Sequence, residues 1–301
     1  MNAPSVSIGM PVYNDSKFLS KALDSLLSQT YGDFELIISD DASFDGSEQI
    51  CRTYAEKDKR IKYIRHSQNM GISANMIFLL KEARSKYFMW AANDDLWDKD
   101  FIRLLVQAHE EQPNCIVAFS PVQFIDEEEK PIEEYGIRAS DYQGNKPESR
   151  LRKLVKTFDD SFGYGLFKRS SILDVQFPTW WWVNKKCAYN NIYPSLCFYL
   201  SKGDFVLVRS RPLWFNRLKK EENVNHKVPF NLSLLRGWLA FTLRRFNLVY
   251  VSLVQVYRGT KNASTSLKLA PLMFYKWFLH PSFQELSGRI KLYRARKINF
   301  L

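Results

Sequence analysis

Glycine and proline are scarce in this sequence, 12 of each in 301 residues, while 46% of the chain is apolar. That composition excludes a disordered, collagen-like or linker protein and supports a substantial hydrophobic core. Cysteine is scarcer still. Cys51, Cys115, Cys187 and Cys197 lie far apart, with no CxxC pair and no neighbouring histidine. Zinc-finger and disulfide frameworks are thereby excluded, and a reducing compartment is expected. Met1–Ser7 lacks a basic segment followed by an apolar core, so no secretory signal is expected and the predicted location is cytoplasmic. Also missing are a GxGxxG after the first apolar run and a P-loop lysine, the two most familiar phosphate cradles.

Acidic residues are nearly absent from the C-terminal third. Residues 205–301 hold 18 Lys and Arg against three acids, Glu221, Glu222 and Glu285. The rest of the chain is slightly acidic, so a polyanionic partner is expected for one region only. This region also carries bulky apolar runs, such as Phe274-Tyr275-Lys276-Trp277-Phe278-Leu279. Its longest uncharged stretch, Phe246–Tyr257, has 12 residues, well short of the roughly 20 that a spanning helix requires. Basic, aromatic and too short to span, residues 224–301 are predicted to lie on an anionic membrane surface, peripheral at its cytoplasmic face. The competing expectation is one or two helices that pack their aromatics on the preceding domain. Nucleic acid is not an expected partner: the basic residues alternate with large apolar ones, and no nucleic-acid motif accompanies them.

The first 125 residues alternate strand-like and helix-like segments. Apolar runs at Val6–Tyr13, Phe34–Ile38, Ile61–Arg65, Tyr87–Ala92 and Ile116–Ser120 read as buried strands. Between them, apolar residues recur at helical spacing, as in Leu19, Ala22, Leu23, Leu26 and Leu27. This order predicts an α/β fold, a mostly parallel Rossmann-like sheet with helices on both faces. The expected division is a domain over 1–223, in halves 1–120 and 121–223, followed by the basic region. Arg138–Arg150 reads as loop. Later segments predict a strand at Gly163–Phe167, a helix near Asn191–Ser201, and strands at Phe205–Val208 and Leu213–Asn216.

In such sheets ligands bind beyond the carboxyl ends of the strands. Those ends carry Tyr13-Asn14, Asp40-Asp41, Asn69-Met70-Gly71 and Asn93-Asp94-Asp95, four polar clusters on one edge. Tyr13 has a ring suited to stacking on a base, and Asp41 an acceptor suited to a base N–H or a ribose hydroxyl. Asp94 and Asp95 are hard oxygen ligands suited to a divalent cation that also binds phosphate. Each residue also has a plain alternative, a core-edge tyrosine or a helix cap. Their convergence favours a site.

Pro11-Val12-Tyr13-Asn14, Ser28-Gln29-Thr30-Tyr31-Gly32-Asp33-Phe34-Glu35 and Ser39-Asp40-Asp41-Ala42-Ser43-Phe44-Asp45-Gly46-Ser47 together resemble the opening of glycosyltransferase family 2. Asn69-Met70-Gly71-Ile72-Ser73-Ala74-Asn75 is similar to the family's Asn-x-Gly loop, and Ala92-Asn93-Asp94-Asp95 to its DxD-type metal motif. The resemblance implies a GT-A fold and inverting transfer from a nucleotide-activated sugar, a UDP-sugar foremost, with Mn²⁺ or Mg²⁺. The implied acceptor is a glycan or lipid-linked oligosaccharide of a surface polysaccharide. Carried over, Pro11, Val12, Tyr13 and Asp41 hold the nucleoside, and Asn69, Gly71 and Asn75 line the donor pocket. Asn93 and Asp94 approach the ribose or sugar, and Asp95 ligates the metal.

One part of the pattern departs. Inversion requires a carboxylate to take the acceptor's proton, and where the family places that base this chain carries the amides Asn190 and Asn191. Asp159 and Asp160 are the nearest upstream acids, with a solvated turn as their plain alternative. A nucleotide-sugar-binding protein with impaired catalysis is therefore the second expectation.

Overall fold

Buried apolar strands that cannot stand alone are joined here by amphipathic helices with one apolar face each. A computed structural model of the protein describes residues 3–142, 146–157, 159–177, 192–219 and 233–279. Asn190 and Asn191 lie outside the described residues. In chain order the first half runs β1 (Val6–Val12), α1 (Ser16–Leu27), β2 (Phe34–Asp40), α2 (Ser47–Lys57), β3 (Ile61–Arg65), α3 (Ile72–Glu82), β4 (Tyr87–Trp90), β5 (Leu96–Trp97), α4 (Phe101–Glu111) and β6 (Cys115–Phe119). Then follow β7 (Val122–Ile125), β8 (Ile137–Arg138), α5 (Pro147–Thr157), β9 (Leu166–Lys168), α6 (Ile192–Lys202), β10 (Asp204–Leu207), β11 (Trp214–Arg217), α7 (Ser233–Thr260) and α8 (Ala263–Met273).

Seven strands form one sheet in the order β10-β6-β9-β4-β1-β2-β3. All neighbours are parallel except β9, which runs antiparallel to both β4 and β6. The expected α/β class is borne out. Two apolar cores flank the sheet. One packs α1 and α4 through residues such as Leu23, Leu26, Phe101 and Leu105. The other gathers α3, α5, α6 and α7 around Phe88, Trp90, Phe167 and Tyr199.

Three features depart from the sequence reading. The stretch read as loop gives way to α5 from Pro147, because Leu151, Leu154 and Val155 recur at helical spacing and pack under α6. The strand expected at Gly163–Phe167 begins only at Leu166, after a 3₁₀ turn over Ser161–Tyr164. Finally, β11 does not join the main sheet. It pairs antiparallel with β5 and parallel with β7, and β8 completes a second, four-stranded sheet. Two-residue strands such as β5 and β8 carry too little periodicity to be seen in a sequence.

The C-terminal helices continue the second core. On α7, Leu248, Val249, Ser252, Gln255 and Val256 form a buried face against α6, and α8 adds Leu269 and Met273. Gly259 allows the close crossing: a Cβ there would fall 1.6 Å from Ser201 Oγ. The other face of α7 leaves Phe246, Tyr250, Val254 and Tyr257 exposed. Among the described residues no helix is long and apolar enough to cross a membrane.

His109, buried on α4, donates from Nε2 to the Leu166 carbonyl at 2.7 Å and lies against the Tyr87 ring. Burial lowers its pKa below 6.5, with Lys86 and Lys168 adding to the effect against the Leu166 hydrogen bond. As pH falls below about 6.5, the unfolded chain takes up this proton before the folded one does. Stability therefore drops, by up to about 1.4 kcal/mol per pH unit, until the folded-state pKa is passed. His109→Gln, whose amide can keep the Leu166 bond, is expected to flatten that acid-side loss in melting curves recorded from pH 7 to 4.

Candidate donor site at the strand ends

The turns leaving β1 and β2 are tied to each other. Asp41 N–H donates to the Val12 carbonyl at 2.8 Å, Phe44 N–H to Asn14 Oδ1 at 2.9 Å, and Asn14 N–H to Ser43 Oγ at 3.1 Å. Both turns use left-handed backbone at non-glycine residues, Asn14 (φ 49°) and Ala42 (φ 63°). Such backbone costs of order 1–3 kcal/mol per residue and persists only where the surroundings enforce it. The enforced turns project the Tyr13 ring outward, half exposed and edge-on to Phe44.

Asp41 is 2% exposed and organises the loop before α3. Its two carboxylate oxygens accept Met70 N–H at 2.7 Å and Gly71 N–H at 2.9 Å. Gly71 sits at φ 87° and ψ 153°, a region that side-chain-bearing residues almost never occupy. Asn75, one turn into α3, donates from Nδ2 to the Ser39 carbonyl at 2.9 Å. Its Oδ1 is buried without a hydrogen-bond partner among the described residues. A buried acceptor left unmatched is costly, and a hydroxyl or N–H of a bound ligand would satisfy it.

These residues enclose a cavity of about 510 Å³. Pro11, Val12, Tyr13 and Asp41 line one side of it, and Asn69, Gly71, Ile72 and Asn75 another, with Asn93 and Asp15 completing the wall. Eight of the nine residues expected to hold the nucleotide sugar thus meet in one place. The ninth, Asp94, reaches it through a cation: Lys219 Nζ lies 2.9 Å from Asp94 Oδ2 and closer still to Asp15 Oδ2. Burial raises the Asp15 pKa, although its hydrogen bond to Lys219 pulls the other way. Lys219 is held above its ordinary value because the bonds to Asp15 and Asp94 outweigh its own burial.

Asp95 turns into the protein. It is 1% exposed, and its carboxylate accepts Trp214 Nε1–H at 2.8 Å, Arg217 N–H at 2.9 Å and the Asn216 amide at 3.2 Å. Burial, and then the charge of Asp94, push its carboxyl up to about 7 despite those bonds. Both Asp95 oxygens thus accept hydrogen bonds from β11. Arg217, also buried, locks the same joint, donating to the carbonyls of Asp94 (2.8 Å), Asp126 (3.2 Å) and Glu127 (3.1 Å) while stacking on Phe18. The second sheet therefore fixes where the Asp94 side chain emerges.

The two acids weighed as bases also separate. Asp159 is buried and accepts Ser161 N–H at 3.0 Å and the Ser140 N–H, bracing a turn. Asp160 is exposed. It acts electrostatically on Tyr164, whose pKa is raised by burial and then by Asp95, Asp94 and Asp160. Asp15, Lys219 and Arg217 were not singled out in the sequence. Asp15 reads there as one more turn residue, and the other two are more than 120 positions from the Asp94-Asp95 motif they join.

Residues 7–175 match the model of the family described as glycosyl transferase family 2. The chain belongs to glycosyltransferase family 2. It is 36% identical over 140 residues to an uncharacterized glycosyltransferase of Rickettsia felis, covering 46% of this chain and 22% of that protein. To the putative glycosyltransferase EpsH of Bacillus subtilis it is 27% identical over 173 residues, 57% of this chain and 49% of EpsH. The matched stretches thus span about half or less of these relatives. Among solved structures, Staphylococcus aureus TarS 1–349 in complex with UDP superposes with a TM-score of 0.60 at 15% identity, covering 88% of this chain and 69% of that one. The mannosyltransferase PcManGT of Pyrobaculum calidifontis, in complex with GDP-Man and Mn²⁺, gives a TM-score of 0.53 at 16% identity, covering 98% and 76%. The fold of this glycosyltransferase is GT-A.

Proposed function

We propose that this family 2 member transfers a hexose, with inversion, from a nucleoside-diphosphate sugar, UDP-linked in the first instance, to a hydroxyl of a glycan or lipid-linked oligosaccharide in surface polysaccharide assembly. The observation that carries this reading is the single cavity that gathers Tyr13, Asp41, Asn69, Gly71, Asn75 and Asn93 at the strand ends. Tyr13 offers a face to the base, and the free Asn75 Oδ1 an acceptor to a hydroxyl. UDP-GlcNAc and GDP-Man, bound in TarS and PcManGT complexes, are of the proposed donor class.

A divalent metal fits the donor set. Asp94 and Asp15 are hard oxygen ligands that already share one cation, the Lys219 ammonium. Mn²⁺ or Mg²⁺ is commonly held by one or two carboxylates, with phosphate oxygens and waters completing the shell. Such an ion stabilises the charge that grows on a diphosphate leaving group. Asp94, rather than Asp95, is the carboxylate proposed to hold it. Of the acids considered, Asp160 is the proposed base, being exposed, whereas Asp159 is buried and accepts backbone N–H groups. Asp160→Asn is expected to lower kcat by about 10²-fold or more with nucleotide affinity unchanged; an unaltered kcat removes Asp160 from this role.

The exposed stripe Phe246, Tyr250, Val254 and Tyr257 on α7, with the basic residues of 224–301, supports contact with an anionic membrane at its cytoplasmic face. The amides Asn190 and Asn191 favour a second reading, a nucleotide-sugar-binding protein of impaired catalysis. One experiment separates the two. Titrate UDP, GDP, CDP and dTDP by calorimetry with Mn²⁺ and then with EDTA, and follow release of the diphosphate from the matching sugar donor. Metal-dependent binding with turnover supports the transferase, and binding without turnover the second reading. Binding of none of the four defeats both.

A further inference from the structure

The carboxylates that suit a divalent metal are joined here by a lysine. Lys219 Nζ is within 2.9 Å of Asp94 Oδ2 and closer to Asp15 Oδ2, so one ammonium neutralises part of a two-carboxylate cluster beside the cavity. The lysine is delivered from just beyond β11, the strand whose Trp214, Asn216 and Arg217 fix the Asp94-Asp95 turn. Its position is therefore tied to that of the carboxylates. Its Nζ also lies over the Phe18 ring, 5.8 Å from the ring centre. Among the described residues no cluster of three or more His, Cys, Asp or Glu forms a ready-made metal cage. Two carboxylates and an ammonium carry a net charge of only −1, a weak attraction for a free divalent ion.

We propose that Lys219 is a tethered cation that competes with the divalent metal for Asp15 and Asp94, so that the metal binds well only when a diphosphate supplies further oxygens. This rests on the donor-site reading above and adds a device to it. With no nucleotide present, the ammonium holds the two carboxylates together and keeps metal affinity low. When the diphosphate enters, its negative charge gives the ammonium a second set of partners and favours the metal at the carboxylates. Metal and nucleotide then bind cooperatively, because each is disfavoured without the other.

The test uses Mn²⁺ alone with the full chain and no nucleotide, reading free Mn²⁺ by electron paramagnetic resonance. Lys219→Met is expected to bind Mn²⁺ at least tenfold more tightly than the native protein, because the competing charge is gone. Lys219→Arg keeps the charge and is expected to stay weak. The same order is expected in melting curves, with Mn²⁺ raising the melting temperature of Lys219→Met most; that readout remains available if the loss of the lysine destabilises the turn. Equal or weaker Mn²⁺ binding in Lys219→Met, including no binding in either protein, overturns the proposal. So does tighter binding in Lys219→Arg as well. Failure of the donor-site reading shows separately, as absence of UDP, GDP, CDP and dTDP binding to all three proteins.

Discussion

Asp94→Asn is expected to reduce kcat by about a hundred- to a thousandfold, measured as nucleoside diphosphate released from the sugar donor. The Asp94 side chain is partly exposed and meets Asp15 through a shared cation at the edge of the cavity. The substitution keeps size and shape but removes the charge that a metal or the Lys219 ammonium answers. The fold should be little affected, since Arg217 is anchored to the Asp94 backbone carbonyl and not to its side chain. The melting temperature is expected to stay close to native while metal-dependent nucleotide binding is lost. Full activity in Asp94→Asn would refute its assignment to the metal.

Asp95→Ala is expected to give the opposite profile, a loss of about 3–5 kcal/mol of stability read from denaturant unfolding. Three donors converge on this carboxylate, from Trp214, Asn216 and the Arg217 backbone, and all are at or near the buried face of β11. Removing the acceptor strands them, each at a desolvation cost of about 1–3 kcal/mol. Asp95→Asn should also destabilise, because its NH₂ group must face donors whichever way the amide is turned. If Asp95 held the metal itself, Asp95→Ala would also abolish Mn²⁺-dependent nucleotide binding at temperatures where the variant is still folded. Neighbouring aspartates in one motif are thus expected to fail by different routes.

Much of this was legible in the residue order. Alternating apolar runs and helical periods over residues 6–119 specify the parallel part of the sheet, because the central strands are buried on both faces and the helices on one. That topology alone brings Tyr13, Asp41, Gly71 and Asn93 to a common edge, since parallel strands end on the same side. The local chemistry there came from the structure: Gly71 stands where only glycine is at ease, and Asp41, read as an acceptor for a ligand, holds its loop.

Other features depend on contacts that sequence spacing does not carry. Of the two adjacent aspartates, Asp94 meets the Lys219 ammonium, whereas Asp95 is enclosed by three hydrogen-bond donors. Those donors come from β11, some 120 residues later, in a small sheet whose two-residue strands leave almost no periodic trace. Asp159 likewise is held by backbone N–H groups of Ser140 and Ser161, a difference from Asp160 that spacing does not carry. Lys219 looks like one of many basic residues in a basic region until the fold lays it between Asp15 and Asp94. A sequence determines which segments must be buried, because burial is set by composition and period. Which carboxylate faces the cavity and which supports it depends on hydrogen bonds between distant segments, and only the tertiary structure decides those.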